Sequence, residues 1–251
     1  MAFLTRWQDD QSRPSARMAA RDLAVRALAP MAVWWLIVLA IGWALADGPL
    51  KRLGTSEESV NRKLASERTP ALNDVTWFFS WTGATVSIIG VCLVVVALVW
   101  WRTRRWWFAV VPLIAITLQA LAFFFTTLLI DRQRPDVVKL DHSPPTSSYP
   151  SGHSGAATGL YVTLALLALR IRRPALRAVT VTACLLVPLL VASSRLYRGM
   201  HHVSDVSVAI VNGLIAALLA WGWLRRSPSD QDDDADRTGP GHVRTAAAEA
   251  G

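Results

Sequence analysis

The chain has 251 residues, 53% of them hydrophobic, and carries 26 Lys and Arg against 18 Asp and Glu, a formal net charge of +8. Its apolar residues gather into six long runs nearly free of charge, which excludes an ordinary soluble domain, and two cysteines exclude a disulfide-stapled scaffold. The basic excess accompanies no nucleic-acid motif and clusters at the ends of apolar runs, so its expected partner is a membrane bilayer and not a nucleic acid.

Residues 1–27 mix Arg, Asp, Ala and Leu and are expected to be a cytoplasmic N-terminal segment. Within it, Met18 to Leu28 is read either as a basic amphipathic helix on anionic headgroups or as a solvated tail. The first apolar run, Leu28 to Ala46, begins too late and after too many charges for a cleaved signal peptide, so it is expected to remain as a span. Thr55-Ser56-Glu57-Glu58 reads as a capping box, and Val60 and Leu64 follow at helical spacing, predicting a short interfacial helix stopped by Pro70. Asn73 or Asp74 is expected to cap the second run, Val75 to Trp101. Arg102, Arg104 and Arg105, flanked by paired tryptophans, mark a tight cytoplasmic turn into the third run, Trp106 to Ile130.

The fourth run, Ser154 to Leu169, is short for a span of about 20 residues, and counting from Gly152 to Ile171 restores the length. Val179 to Ser194 contains Pro188, expected to kink it, and Val206 to Leu224 is the sixth. The fold class is therefore all-α, a polytopic membrane protein with six transmembrane helices over 28–226. Residues 227–251 lack apolar periodicity and are expected to form a disordered cytoplasmic tail, its Asp230 to Asp236 cluster a solvated run and not a metal site. Cys92 and Cys184 fall inside spans as small buried residues. Most basic residues lie at the termini and in the second and fourth loops, so both termini are placed in the cytoplasm and the loop around Ser193 outside the cell membrane.

Two outer stretches carry chemistry. In the first, Pro150 fixes the entry to a helix that Ser151 can cap, placing Gly152 and His153 at an N-terminus suited to an anion. Arg132, Arg134, Lys139 and His142 precede it. In the second, Ser194-Arg195 is followed by His201 and Asp205. If His201 begins a helix, Asp205 shares its face and can hold the imidazole in one tautomer; His202, three residues from Asp205, is not excluded by spacing. Arg195 is a planar fork for phosphoryl or carboxylate oxygens. Tyr149 and Tyr197 are expected at the membrane interface, and Arg198 is either a headgroup anchor or part of the site. No set of ligands with metal spacing is present, so neither a metal nor another cofactor is expected.

Taken together, Arg134-Pro135, Pro150-Ser151-Gly152-His153 and Ser194-Arg195 with His201 and Asp205 resemble the three-part signature of the PAP2 superfamily of lipid phosphatases, relatives of vanadium haloperoxidases. The resemblance covers residues from about 75 to 224, and it departs at Thr127, where the signature begins with lysine. It implies that His201 attacks phosphorus to form a phosphohistidine, Asp205 orients it and His153 protonates the leaving oxygen. Arg134, Arg195, Ser151 and Gly152 would hold the phosphoryl oxygens, with Arg132 or Lys139 available in place of the lysine. The implied partner is a lipid phosphate: a polyprenyl diphosphate, phosphatidylglycerophosphate or phosphatidate. The competing expectation is a lipid-phosphate-binding or transport protein with impaired catalysis, whereas a haloperoxidase is disfavoured because those relatives are soluble.

Overall fold

The computed structural model describes residues 2–7, 10–142 and 145–225; the tail from Ser227, with its acidic cluster, lies outside the described residues. Its elements are helical throughout. We number α1 Ala16–Ala46, α2 Lys51–Ser56, α3 Glu58–Ser66, α4 Pro70–Thr82, α5 Thr85–Thr103, α6 Val111–Leu129, α7 Gly152–Ala168, α8 Pro174–Tyr197 and α9 Val203–Trp221. Single turns at Ala2–Thr5 and Trp106–Ala109 complete the list.

Among the described residues, five helices are long and apolar enough to cross a membrane: α1, α5, α6, α8 and α9. The sixth expected span, α7, has 17 residues, or about 26 Å at the α-helical rise. It is the middle of the bundle, packed against α9, α8, α6 and α5. Large side chains such as Val33, Leu36, Val86, Leu98 and Leu186 point outward, an apolar belt suited to lipid.

Two runs differ from the reading of the sequence. The first span does not begin at Leu28: Ser15 accepts from the Met18 amide at 3.3 Å, and the helix continues unbroken from Ala16. Ala24–Leu28 forms a wide π turn, with the Ala29 amide donating to the carbonyl of Ala24. That turn takes up the missing amide of Pro30 without breaking the helix. The N-terminal segment is tied to the bundle, since buried Trp7 stacks 5.5 Å from Phe108 and donates its indole N–H to the carbonyl of Trp221 at 3.1 Å.

The second run is two helices. It breaks at Gly83 and Ala84 because the chain there passes against α7 and α8: a Cβ at Gly83 would lie 2.6 Å from Val191 and 3.4 Å from the Cβ of His153. The start of α4 is capped by Thr69 with Pro70 at the first helical position, so Pro70 opens this helix and neither Asn73 nor Asp74 caps it. Pro188 lies inside α8, which runs on through Arg195 to Tyr197.

Backbone contact between α7 and α9 depends on small residues. A Cβ at Gly213 would lie 2.4 Å from the carbonyl of Gly155 and 2.7 Å from Thr158, whereas one at Gly90 meets nothing within 4 Å. Gly213→Ala is therefore expected to lower stability in detergent by about 1 to 3 kcal/mol, and Gly90→Ala is expected not to lower it, as checked by thermal unfolding.

Candidate active site

The first turns of α7 and α9 and the last turns of α8 meet at a cavity of about 640 Å³. Along α5 and α6 its walls are apolar, with Ile88, Ile89, Leu93, Leu113, Ile116 and Phe123. Its polar end presents Arg134, Gly152, His153, Arg195 and His201, with His142 beside them. Arg134 and Arg195 each retain a buried guanidinium Nε–H with no partner. Unpartnered donors of this kind are costly when dry, and an oxyanion satisfies them.

His201 is almost fully buried and does not begin a helix; α9 starts at Val203 with His202 at its N-cap. The four-residue spacing therefore does not bring Asp205 onto the imidazole. Nδ1 of His201 lies 2.7 Å from the carbonyl oxygen of Ser148 and 3.9 Å from Asp205 Oδ2. A carbonyl only accepts, so Nδ1 carries the proton and Nε2 keeps its lone pair. Burial, opposed by the charge of Asp205 and reinforced by Arg195 and Arg134, holds the His201 pKa down to about 3. The ring is neutral at ordinary pH, as a nitrogen nucleophile must be.

Asp205 has another task. Its Oδ1 pairs with Arg132 at 2.5 Å, while Oδ2 accepts from Ser148 Oγ at 2.5 Å and from the backbone amide of His202 at 2.8 Å. Arg132 is held away from the catalytic cavity by this pair and by Glu57 at 3.1 Å, so the expectation that it binds phosphate is replaced by a structural role. Ser151 caps α7, accepting from the Ser154 amide at 3.4 Å; it is fully buried, and its neighbour Gly152 is the one that lines the cavity.

Arg195 and Arg198 share one carboxylate, Asp141, at 2.6 and 2.7 Å, and Arg195 also donates to Ser80 at 2.6 Å. Burial raises the Asp141 pKa, but the Arg198 hydrogen bond and the charges of both arginines outweigh it and hold it below the usual carboxylate value. Arg198 is thereby a buried member of the framework and not a headgroup anchor. Neither tyrosine sits at an interface: Tyr149 is buried with its hydroxyl on the carbonyl of Val38 at 2.8 Å, and the Tyr197 hydroxyl accepts from the Thr69 amide at 3.0 Å.

A sequence model of the family described as the PAP2 superfamily matches residues 108–229. Over these residues the chain is similar to the PAP2 superfamily. Phosphatidylglycerophosphatase B of Bacillus subtilis (strain 168) is 26% identical over 172 residues, which are 67% of this chain and 83% of that protein. The crystal structure of the first transmembrane PAP2 type phosphatidylglycerolphosphate phosphatase, from Bacillus subtilis, superposes with a TM-score of 0.65 at 22% identity. It covers 84% of this chain and 98% of its own. Aquifex aeolicus LpxE superposes with a TM-score of 0.53 at 19% identity, over 66% of this chain and 94% of its own. The fold is thus that of a multi-pass PAP2 membrane protein.

Several residues that build this PAP2 site precede the matched region and carry no motif. The expected capping box at Thr55 to Glu58 does not cap a helix. Instead Glu57 reaches Arg132 and the Ser204 amide, at 3.1 and 3.0 Å, and Glu58 reaches His202 Nε2 at 3.1 Å. Asn61, 1% exposed, donates to the carbonyl of His201 at 3.0 Å, and Arg68 donates to that of Tyr197 at 2.9 Å. His202 is accordingly a tie between α3 and α9 and not a bystander. Nothing in the local sequence distinguishes these residues from a polar helix face in water.

Burial opposes the charge on His202, but the hydrogen bond and charge of Asp205 and the bond to Glu58 prevail, so its pKa lies above the ordinary value. A raised histidine stabilises the fold fully below its unfolded pKa of about 6.5 and loses that contribution as pH rises through the folded value. Glu58→Gln is expected to move the alkaline decline in melting temperature to lower pH, measured by thermal unfolding across pH 6 to 9. Asp141→Asn leaves Arg195 and Arg198 without a counter-charge. The expected loss of stability lies below the roughly 3 to 5 kcal/mol of a fully dry pair, because the Asp141 side chain keeps 20% exposure; denaturant titration checks it.

Proposed function

We propose that the chain is a membrane lipid phosphatase that hydrolyses a phosphomonoester or diphosphate through a phosphohistidine intermediate. The phosphatase class rests on the match of residues 108–229 to the PAP2 superfamily model and on the likeness to phosphatidylglycerophosphatase B. The observation that carries the lipid reading is the cavity itself: one continuous space is apolar between α5 and α6 and ends at His142, His153 and His201 with Arg134 and Arg195. An aliphatic tail fits the first part and a phosphoryl group the second.

In this reading Nε2 of His201 attacks phosphorus in line with the ester oxygen, and a P–N bond replaces the P–O bond. His153 donates a proton to the leaving oxygen. Neutral after that transfer, it takes a proton from the water that cleaves the P–N bond, releasing phosphate and restoring the His153 imidazolium and the neutral His201 imidazole. Arg134, Arg195 and the amides at the start of α7 stabilise the charge on the equatorial oxygens. Ser148 sets the His201 tautomer, and Asp205 acts one step back by fixing Ser148, Arg132 and the start of α9. Arginines and amides supply the positive charge that a divalent cation supplies elsewhere, and the described residues contain no group of three metal-ligating side chains.

The catalytic unit in this proposal is 28–226, with both termini in the cytoplasm and the site at the outer face, as the distribution of arginine favours. Phosphatidylglycerophosphate, a polyprenyl diphosphate and phosphatidate are the candidate substrates. Purified protein in detergent is expected to release phosphate from at least one of them with a chelator present. His201→Ala is expected to reduce the rate by at least about a thousandfold, as loss of a nucleophile does. Phosphate release by that variant at the wild-type rate would sink the assignment.

A further inference from the structure

A second cavity, of about 830 Å³, adjoins the first and shares Arg134, Phe123, Phe124, Thr146 and Ser147 with it. It is the more polar of the two, and three features of its lining bear on what it holds.

The first is Thr127, the position where the family signature has lysine. Its hydroxyl is turned onto its own helix, donating to the carbonyl of Phe124 at 2.8 Å, and the residue lines this second cavity, not the catalytic one. A short side chain there leaves space and supplies no charge. The second is Lys139, also in the wall. It is exposed, and its backbone is pinned on both sides: the carbonyl of Val138 accepts from Arg68 at 2.6 Å, and the amide of Leu140 donates to the carbonyl of Arg198 at 3.1 Å.

The third is the pairing of charge. Arg132, Arg195 and Arg198 are each held by a carboxylate. Among the described residues no carboxylate lies within ion-pair distance of Arg134 or Lys139; Arg134 donates only to the carbonyl of Met200, at 2.8 Å. Burial also lowers the Arg134 pKa, and the charge of Asp205, which is not paired with it, opposes the shift without cancelling it. Asp131 is the one acid in the lining, so the wall remains net cationic.

We propose that this second cavity is a subsite for a second anionic group of the substrate, with Lys139 and Arg134 as its cations. The preferred substrate is then a lipid bearing two phosphates, as a diphosphate or as a phosphodiester beside the scissile monoester, and not a lipid with one. The proposal rests on the phosphatase reading of the neighbouring site. It places the missing lysine's charge on the loop, displaced from the reacting phosphorus toward the rest of the headgroup.

The test compares phosphatidylglycerophosphate, which has two phosphates, with phosphatidate, which has one, in mixed micelles with the full-length protein. Lys139→Ala is expected to lower kcat/KM about tenfold or more for the first and about twofold for the second, the size of one lost charged hydrogen bond. Lys139→Arg is expected to restore the preference. Equal losses on both lipids, or none, in a protein that His201→Ala inactivates, overturn the subsite and leave the phosphatase reading standing. A change confined to inhibition by inorganic phosphate assigns the cavity to the released product and also overturns it. If the wild type turns over no lipid, the phosphatase reading fails, and binding still decides the subsite. Inorganic pyrophosphate should then raise the melting temperature of the wild type more than that of Lys139→Ala, and equal shifts would overturn the proposal.

Discussion

The carboxylate of Asp205 is the interaction on which the cavity-bearing end of this protein depends. Fully buried, it joins the start of α9 to both ends of the loop between α6 and α7, through Arg132 and Ser148, and to the turn that bears His201. An ion so placed is tolerable only when both of its oxygens meet donors, and here Arg132 serves one and Ser148 and the His202 amide the other. Such an arrangement adds little net stability over apolar packing. What it fixes is register: Ser148 cannot move without disturbing Asp205, and the tautomer of His201 follows Ser148.

The distribution of charge follows the same logic outward. Arginines that build the framework are matched to acids, two of them to Asp141 and one to Asp205 and Glu57. Arg195 belongs to both classes, since Asp141 and Ser80 hold one nitrogen while its Nε remains buried and unpartnered beside the cavity. A guanidinium gripped in this way meets an incoming anion without having to be ordered first, which is preorganisation in its simplest form.

Much of this was legible in the sequence for physical reasons. Apolar runs have to be long to cross lipid, so the spans were visible, and Pro150-Ser151-Gly152-His153 announced a capped helix start because few other residues do that work. The break at Gly83 was hidden because hydropathy does not register a steric demand made by Val191 and His153, residues far along the chain. The bonds of Asp205 to Arg132 and Ser148 were hidden because the spacing argument started a helix at His201, whereas α9 begins at Val203. Glu57, Glu58 and Asn61 were invisible: their partners lie between 75 and 147 residues away, and a polar outer helix looks the same whether it faces water or a buried turn.

Those long separations bear on how the protein is made. Glu57, Asn61 and Arg132 are synthesised well before α9, yet the groups that neutralise or engage them, Asp205, Ser204 and the carbonyl of His201, arrive with that last helix. Until it inserts, Arg132 and Glu57 lack the rest of their network, and Ser148, the neighbour of the His201 imidazole, lacks its bond to Asp205. Assembly of the reactive centre is therefore a closing event of biogenesis, dependent on contacts of high sequence separation. A chain arrested before α9 would already contain Arg134, His153, Arg195 and His201 but lack the carboxylate that fixes Ser148 beside the imidazole.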